Sequence, residues 1–409
     1  MKVTRGLSRR DPPPGRGEEV ARIIDAVRQG GDSAVLELTE RFDHAELAPE
    51  ELRVDPRELE ASIGVPEPAL LDALRTAIAS VRTVAEAQLG EPVSVEGPQG
   101  QLIEVGELPV GRAGIYVPGG RAPYLSTVVM CAVTARVAGV PQVAVCAPPG
   151  PGGRAHPAIL AACVMCEVSE VYRMGGAQAV AALAYGTESV RAVDVIVGPG
   201  NAWVTEAKRQ VFGAVGIDGL AGPTELVVVA GADADPELVA LDLLAQAEHG
   251  PDSAVALVAL DERLLMAVVE TVERMAADRP SVAEAELQLL RVDDAHAALR
   301  AAADFAPEHL QLIGAEVEAL AGEVRRAGCV FVGPGSGTAF GDYVAGSNHV
   351  LPTGGAARFQ SALSVNTFRR RMARVSLPGG APGRLAPAGA ALARAEGFPV
   401  HAESMERRA

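Results

Sequence analysis

Residues 193–213 read VDVIVGPGNAWVTEAKRQVFG. VDVIV is a short, mostly β-branched run, GPG interrupts it, and NAWVTEAKRQVFG has a helical pattern. One strand turning tightly into one helix decides little, but the same unit recurs on both sides. QVAVCAP (142–148) and EVYRM (170–174) read as strands, and HPAILAACVMCEV (156–168) and GAQAVAALAYG (176–186) as helices. TELVVVAG (224–231) begins a second round. Strands are expected at SAVALVAL (253–260), QLLRV (288–292), HLQLIG (309–314) and CVFVG (329–333), with helical patterns between them. Repeated β-α units specify parallel sheets covered by helices. The fold expected is therefore α/β, in two modules that part near residue 224.

Outside this alternation the sequence predicts short helices over 17–29 and 31–42, a longer one over 67–88, and a loop-rich stretch over 89–125. Beyond residue 376 the chain is rich in Pro and Gly and then helical. That tail is too short to bury a core of its own, so it is expected to dock on another body.

Composition excludes several classes. The net charge of −16 leaves no basic stripe to neutralise a nucleic-acid backbone. MKVTRGLSRRDPPPG at the start has no apolar stretch, so no secretory leader is expected. No apolar run reaches the roughly 18 residues that suggest a membrane span. Five cysteines in 409 residues predict a reduced, cytoplasmic protein. Cys163 and Cys166 form a C-x-x-C inside an apolar helical pattern without a second pair, which reads as core thiols.

Of seven histidines, His44, His156 and His296 sit in polar, loop or helical contexts that suit solvated or structural roles. The other four have pointed surroundings. In QAEHGPDS, Gln246 and His249 are three apart at a helix end and project from one face, which serves capping or two metal ligands. PEHL sets Glu308 beside His309, either a strand end or an acid–base pair. GDYVAGSNHVLPT (341–353) holds Asp342, Asn348 and His349 in a Gly-rich segment after a strand, where open α/β sheets bind ligands at strand carboxyl ends. EGFPVH (396–401) brings Glu396 and His401 into the tail. Gln246, His249, Asp342 and His401 together are N and O donors of the kind zinc takes, though spacing alone gives no tight motif. GPGNAW could bring backbone to a phosphate at a helix N-terminus. It and GPGSGT (333–338) both lack the full G-x-G-x-x-G, and a tight β-α turn explains them equally.

Taken in order, GIYVPGGRAPYLSTVVM, GGAQAVAALAYGTES, GPGNAWVTEAKRQV, AGPTELVVVA, LLAQAEHGPDS, PEHL, GDYVAGSNHVLPT and EGFPVH resemble the histidinol dehydrogenase family from about residue 20 to residue 401. The resemblance implies an NAD- and zinc-dependent enzyme that oxidises L-histidinol through the aldehyde to L-histidine, the last two steps of histidine biosynthesis. It implies a homodimer with a shared active site and two α/β domains of incomplete Rossmann type. The expected division is an N-terminal arm (1–20), a first α/β domain with the catalytic and metal residues (21–110 with 225–375), a second with the NAD contacts (111–224), and a tail (376–409) exchanged onto the partner subunit.

Carried over position by position, Glu308 and His309 correspond to the catalytic pair. Tyr116, Gln178 and Asn201 correspond to NAD contacts. Gln246, His249, Asp342 and His401 correspond to the ligands of one zinc ion per subunit, and His401 comes from the partner's tail in the family. Thr224, Gln246, His249, Glu308, His309, Asp342, Glu396 and His401 correspond to substrate contacts. Thr224 stands where the family often has Ser, and it keeps the hydroxyl. Competing readings are a dehydrogenase of another small polar alcohol on the same scaffold and a zinc hydrolase, which would leave the glycine-rich segments without a purpose.

Overall fold

The computed structural model describes residues 1–9, 16–119, 122–150 and 152–409. Residues 10–15 of the expected N-terminal arm and residues 120–121 of the GIYVPGGRAPYLSTVVM segment lie outside the described residues. The contacts divide the chain into two compact units, Met1–Ala87 with Gly111–Phe368, and Gln88–Val110 with Arg369–Ala409.

Strand β1 (Lys2–Arg5) opens the first unit, and β2 (Val93–Glu96) and β3 (Leu102–Pro109) belong to the second. In the first unit, β4 (Arg112–Tyr116), β5 (Gln142–Ala147), β6 (Glu170–Arg173), β7 (Val195–Val197) and β8 (Gly216–Ile217) form one parallel sheet. β9 (Glu225–Ala230), β10 (Ala254–Ala259), β11 (Glu286–Arg291), β12 (His309–Ile313) and β13 (Cys329–Val332) form another, with β1 added at the β11 edge. β14 (Arg369–Ser376) pairs antiparallel with β3 in the second unit.

The spatial orders are β6-β5-β4-β7-β8 and β11-β10-β9-β12-β13. Both read 3-2-1-4-5 in their own numbering, the doubly wound order without its last strand. The connection reverses direction between β4 and β7 in one sheet and between β9 and β12 in the other. The central strands are continuous apolar runs because helices cover both faces: every residue of β9, ELVVVA, and of β10, AVALVA, is buried. Asp235, Asp261 and Asp294 cap the helices that follow, each side chain accepting a main-chain N–H in the first turn.

Several elements differ from expectation. The two short helices form one, Gly17–Asp43, kinked at Gly31, whose φ of 57° is left-handed. The loop-rich stretch 89–125 contains three strands, β2, β3 and β4. Just before the tail, β14 pairs with β3, and the tail itself forms two helices, Ala381–Ala395 and Pro399–Glu406, in the second unit with residues 88–110. Cys131, Cys146, Cys163 and Cys166 are buried and free, and burial pushes their thiols well up. No helix among the described residues is long and apolar enough to cross a membrane.

Candidate active site

The register of the second sheet sets His309 opposite Leu226, so Glu308 and Glu225 stand side by side where β12 and β9 begin. Glu308 is 7% and His309 3% exposed, and each has partners. Glu308 Oε2 accepts the Thr224 hydroxyl and the Glu225 N–H, the latter at 2.8 Å. His309 Nδ1 lies 3.0 Å from the Glu225 carbonyl, to which it donates, and 3.5 Å from Glu308 Oε2. Its Nε2 then faces Asp342 Oδ1 at 3.7 Å. Phe331 stacks on the ring at 6.0 Å between centroids. Burial alone would lower the His309 pKa, but Glu308 and Asp342 outweigh it and hold the imidazole well above the ordinary histidine value.

The short helix Thr338–Tyr343 after β13 places Asp342 beside His309. Burial is outweighed there by His249 and His309, which hold the Asp342 carboxyl far below the usual range. Gln246 sits in the last turn of the helix Pro236–Ala247 and His249 just beyond it. The Gln246 Nε2 donates to Thr224 Oγ1, so Oε1 is the atom able to act as a ligand. His249 Nε2 is 3.9 Å from Asp342 Oδ2. Among the described residues no three His, Cys, Asp or Glu side chains converge closely enough to hold a metal ion by themselves. The N and O chemistry of Gln246, His249 and Asp342 nevertheless suits zinc. Glu396 and His401 lie in the second unit, both exposed.

Opposite this group stands the first sheet's carboxyl edge. Tyr116 ends β4 and Asn201 follows β7, so the two flank the reversal point where such sheets take dinucleotides. Gly198 turns the chain here with φ 110°, and a Cβ at that position would lie 2.1 Å from the Tyr116 carbonyl oxygen. The buried Lys208 Nζ donates to Gly198 O and Asp218 Oδ1, each at 2.6 Å, and Asp218 Oδ2 accepts the Gly198 N–H. Asn201 caps the helix Ala202–Val211 through Oδ1, as a plain β-α turn would. Gln178 is buried behind Tyr116's neighbour Gly176, and its Nε2 has no partner. Gln178 follows β6, the outer strand, so the fit to a dinucleotide rests on the open carboxyl edge between β4 and β7 and on the close Gly198 turn.

One cleft of about 380 Å³ is lined by Tyr116, Asn201, Thr224, His249, Glu308, His309 and Asp342. The structure thus brings together seven of the predicted residues, with Gln246 behind Thr224. Gln178 does not line this cleft. The 341–353 segment was expected at strand carboxyl ends, but its Asp342 stands beside His309 at the start of β12, whereas Tyr116 and Asn201 stand at the carboxyl ends of β4 and β7. Glu308, His309 and Thr224 stand at amino ends of their strands, because residues 218–224 lead from the end of β8 to the start of β9. His349 also lines the cleft, with Nδ1 2.9 Å from the Asp342 carbonyl, and burial lowers its pKa. Sequence reasoning gave no role to Glu225, Lys208 or Asp218. The only signal for Glu225 was its place between Thr224 and an apolar run.

The family model described as histidinol dehydrogenase matches residues 14–409. A histidinol dehydrogenase from Synechococcus sp. is 45% identical over 400 residues, 96% of this chain and 92% of that protein. One from Deinococcus radiodurans is 47% identical over 399 residues, 95% of this chain and 90% of that protein. The crystal structure of histidinol dehydrogenase from Elizabethkingia anophelis superposes with a TM-score of 0.92 at 32% identity, covering 99% of this chain and 94% of that one. With its paired 3-2-1-4-5 sheets and its Glu-His cleft, the chain belongs to the histidinol dehydrogenase family.

Proposed function

We propose that the chain catalyses the NAD-dependent, four-electron oxidation of L-histidinol through L-histidinaldehyde to L-histidine in the cytoplasm. The observation that supports this most is the buried Glu308–His309 pair facing the reversal point of the other sheet across one cleft. A zinc ion held by Gln246, His249 and Asp342 would anchor the substrate's nitrogens, and NAD contacted by Tyr116, Gln178 and Asn201 would accept the hydride.

The rest falls to the chain's own side chains. His309, with Nδ1–H committed to the Glu225 carbonyl, takes the substrate's hydroxyl proton at Nε2 when neutral, a form its raised pKa places on the alkaline side of neutrality. The carboxylates of Glu308 and Asp342 stabilise the imidazolium that forms when it takes the proton. The aldehyde must add water before it can lose a second hydride. Glu308 removes a proton from that water, and His309 accepts the hydroxyl proton of the hydrate. Burial of both residues keeps bulk water away from the aldehyde.

His401, and Glu396 beside it, complete this site from the tail of a second copy in a homodimer. Support comes from the three donors of the first unit being one short of a tetrahedral set. Leu392, Phe398 and Val400 on the tail are also exposed and apolar. The test is the NADH formed per histidinol consumed by the purified protein. Two are expected. One NADH with accumulation of aldehyde, or no NADH, would refute the reading.

A further inference from the structure

The start of β9 carries a carboxylate that the reaction above does not use. Glu225 is 5% exposed, and its side chain crosses to the neighbouring strand rather than to solvent. The bonding with Glu308 is reciprocal: the Glu225 N–H donates to Glu308 Oε2 at 2.8 Å, and the Glu308 N–H donates to Glu225 Oε2 at 3.2 Å. Glu225 Oε1 accepts the Gly354 N–H at 3.0 Å, in the segment whose Thr353 lines the cleft. The carbonyl of the same residue receives His309 Nδ1. One residue thus ties β9, β12 and the 350–354 segment at the point where the acid–imidazole pair emerges.

We propose that Glu225 is a positioning residue for Glu308 and His309, an inference that rests on the reaction given above. Its N–H and Thr224 occupy Glu308 Oε2, which leaves Oε1 for the reacting water. Its carboxylate anchors the Glu308 main chain, which holds that oxygen in place. The charged and titratable groups around it are Glu308, His309 and Arg9 of the N-terminal segment, with Asp342 beyond the imidazole.

The test compares Glu225→Gln and Glu225→Asp with wild type, assaying histidinol oxidation and oxidation of supplied histidinaldehyde separately across pH. Wild type that makes no NADH from either substrate refutes the reaction itself; wild-type activity makes the variants informative about Glu225. Glu225→Gln keeps the length of the side chain but sets an amide donor among the Glu308 and Gly354 N–H groups, and Glu225→Asp withdraws the carboxylate from both. For aldehyde oxidation kcat is expected to fall about tenfold or more in each, in line with a misplaced general base, with KM for histidinol within about twofold of wild type. An unchanged kcat in a folded Glu225→Gln protein, or a loss carried by KM instead, overturns the inference. If Glu225→Gln does not fold, an unchanged kcat in Glu225→Asp overturns it.

Discussion

Lys208 Nζ lies 2.6 Å from Asp218 Oδ1 and 2.6 Å from the Gly198 carbonyl oxygen, with the side chains of the ion pair 3% and 6% exposed. This buried pair fixes the GPGN turn that carries Asn201 into the cleft. Lys208→Ala leaves the Asp218 charge buried without its partner, which typically costs about 3–5 kcal/mol. The expected result is a melting temperature lowered by several degrees and, in the surviving folded fraction, a raised KM for NAD at unchanged KM for histidinol. Equal melting curves would show that the turn does not depend on the pair.

Removal of metal should be visible without an assay. After exhaustive chelation, elemental analysis is expected to find no zinc, and re-addition should restore one ion per chain together with activity. His249→Ala should hold less zinc under the same conditions, since it removes one of three donors in the first unit. Co²⁺ or Mn²⁺ should also load, because N/O sites discriminate weakly among such ions. Full turnover by metal-free protein would rule the site out.

Glu308→Gln and His309→Asn should separate the two half-reactions. His309→Asn is expected to slow both, by roughly 10²–10⁴-fold, since each releases a proton to the imidazole. Glu308→Gln should mainly slow oxidation of supplied aldehyde, the half that needs activated water. Equal losses in both halves for Glu308→Gln would contradict the roles assigned here.

Glu225 also gives stability a pH dependence of known sign. Its carboxyl is raised from an ordinary 4.5 to about 7 by burial and by Glu308. A proton bound more tightly in the folded chain stabilises it below pH 4.5, and that contribution is lost as pH rises through 7. At 1.36 kcal/mol per unit the contribution is about 3 kcal/mol. Glu225→Gln should therefore differ from wild type in unfolding free energy by an amount that changes by about that much between pH 4.5 and 8. A difference independent of pH would show that Glu225 titrates normally.

A shared site predicts complementation. Inactive His401→Ala and His309→Asn proteins, mixed under conditions that permit subunit exchange, should regain activity. One site of the mixed dimer would carry both lesions and the other none, so about half of wild-type activity per mixed dimer is expected. Demonstrated exchange without recovery would place each tail in its own subunit.

The α/β alternation was readable because strands covered on both faces become unbroken apolar runs such as LVVVA and AVALVA, which turn residues then bracket. β2 and β3 escaped because VSVE is exposed throughout and LIEVGELP is mostly half-buried, so neither shows a clean period. PEHL stood out as an acid and an imidazole in apolar surroundings. Its position at the amino ends of strands did not, since that depends on how the chain passes from β8 to β9 and not on any local pattern. Glu225 looked like the polar first residue of a strand. Only the pairing of β9 with β12 turns it toward Glu308.

The two sheets repeat one wiring but present opposite edges to the cleft. One copy offers the carboxyl edge usual for dinucleotides, and the other offers the amino edge, where the acid–imidazole pair stands. In the reaction proposed above, the residues assigned to the cofactor and those assigned to the alcohol are thereby mounted on separate sheets, so substitutions on the second sheet's rim are expected to change the alcohol accepted before they change the redox partner.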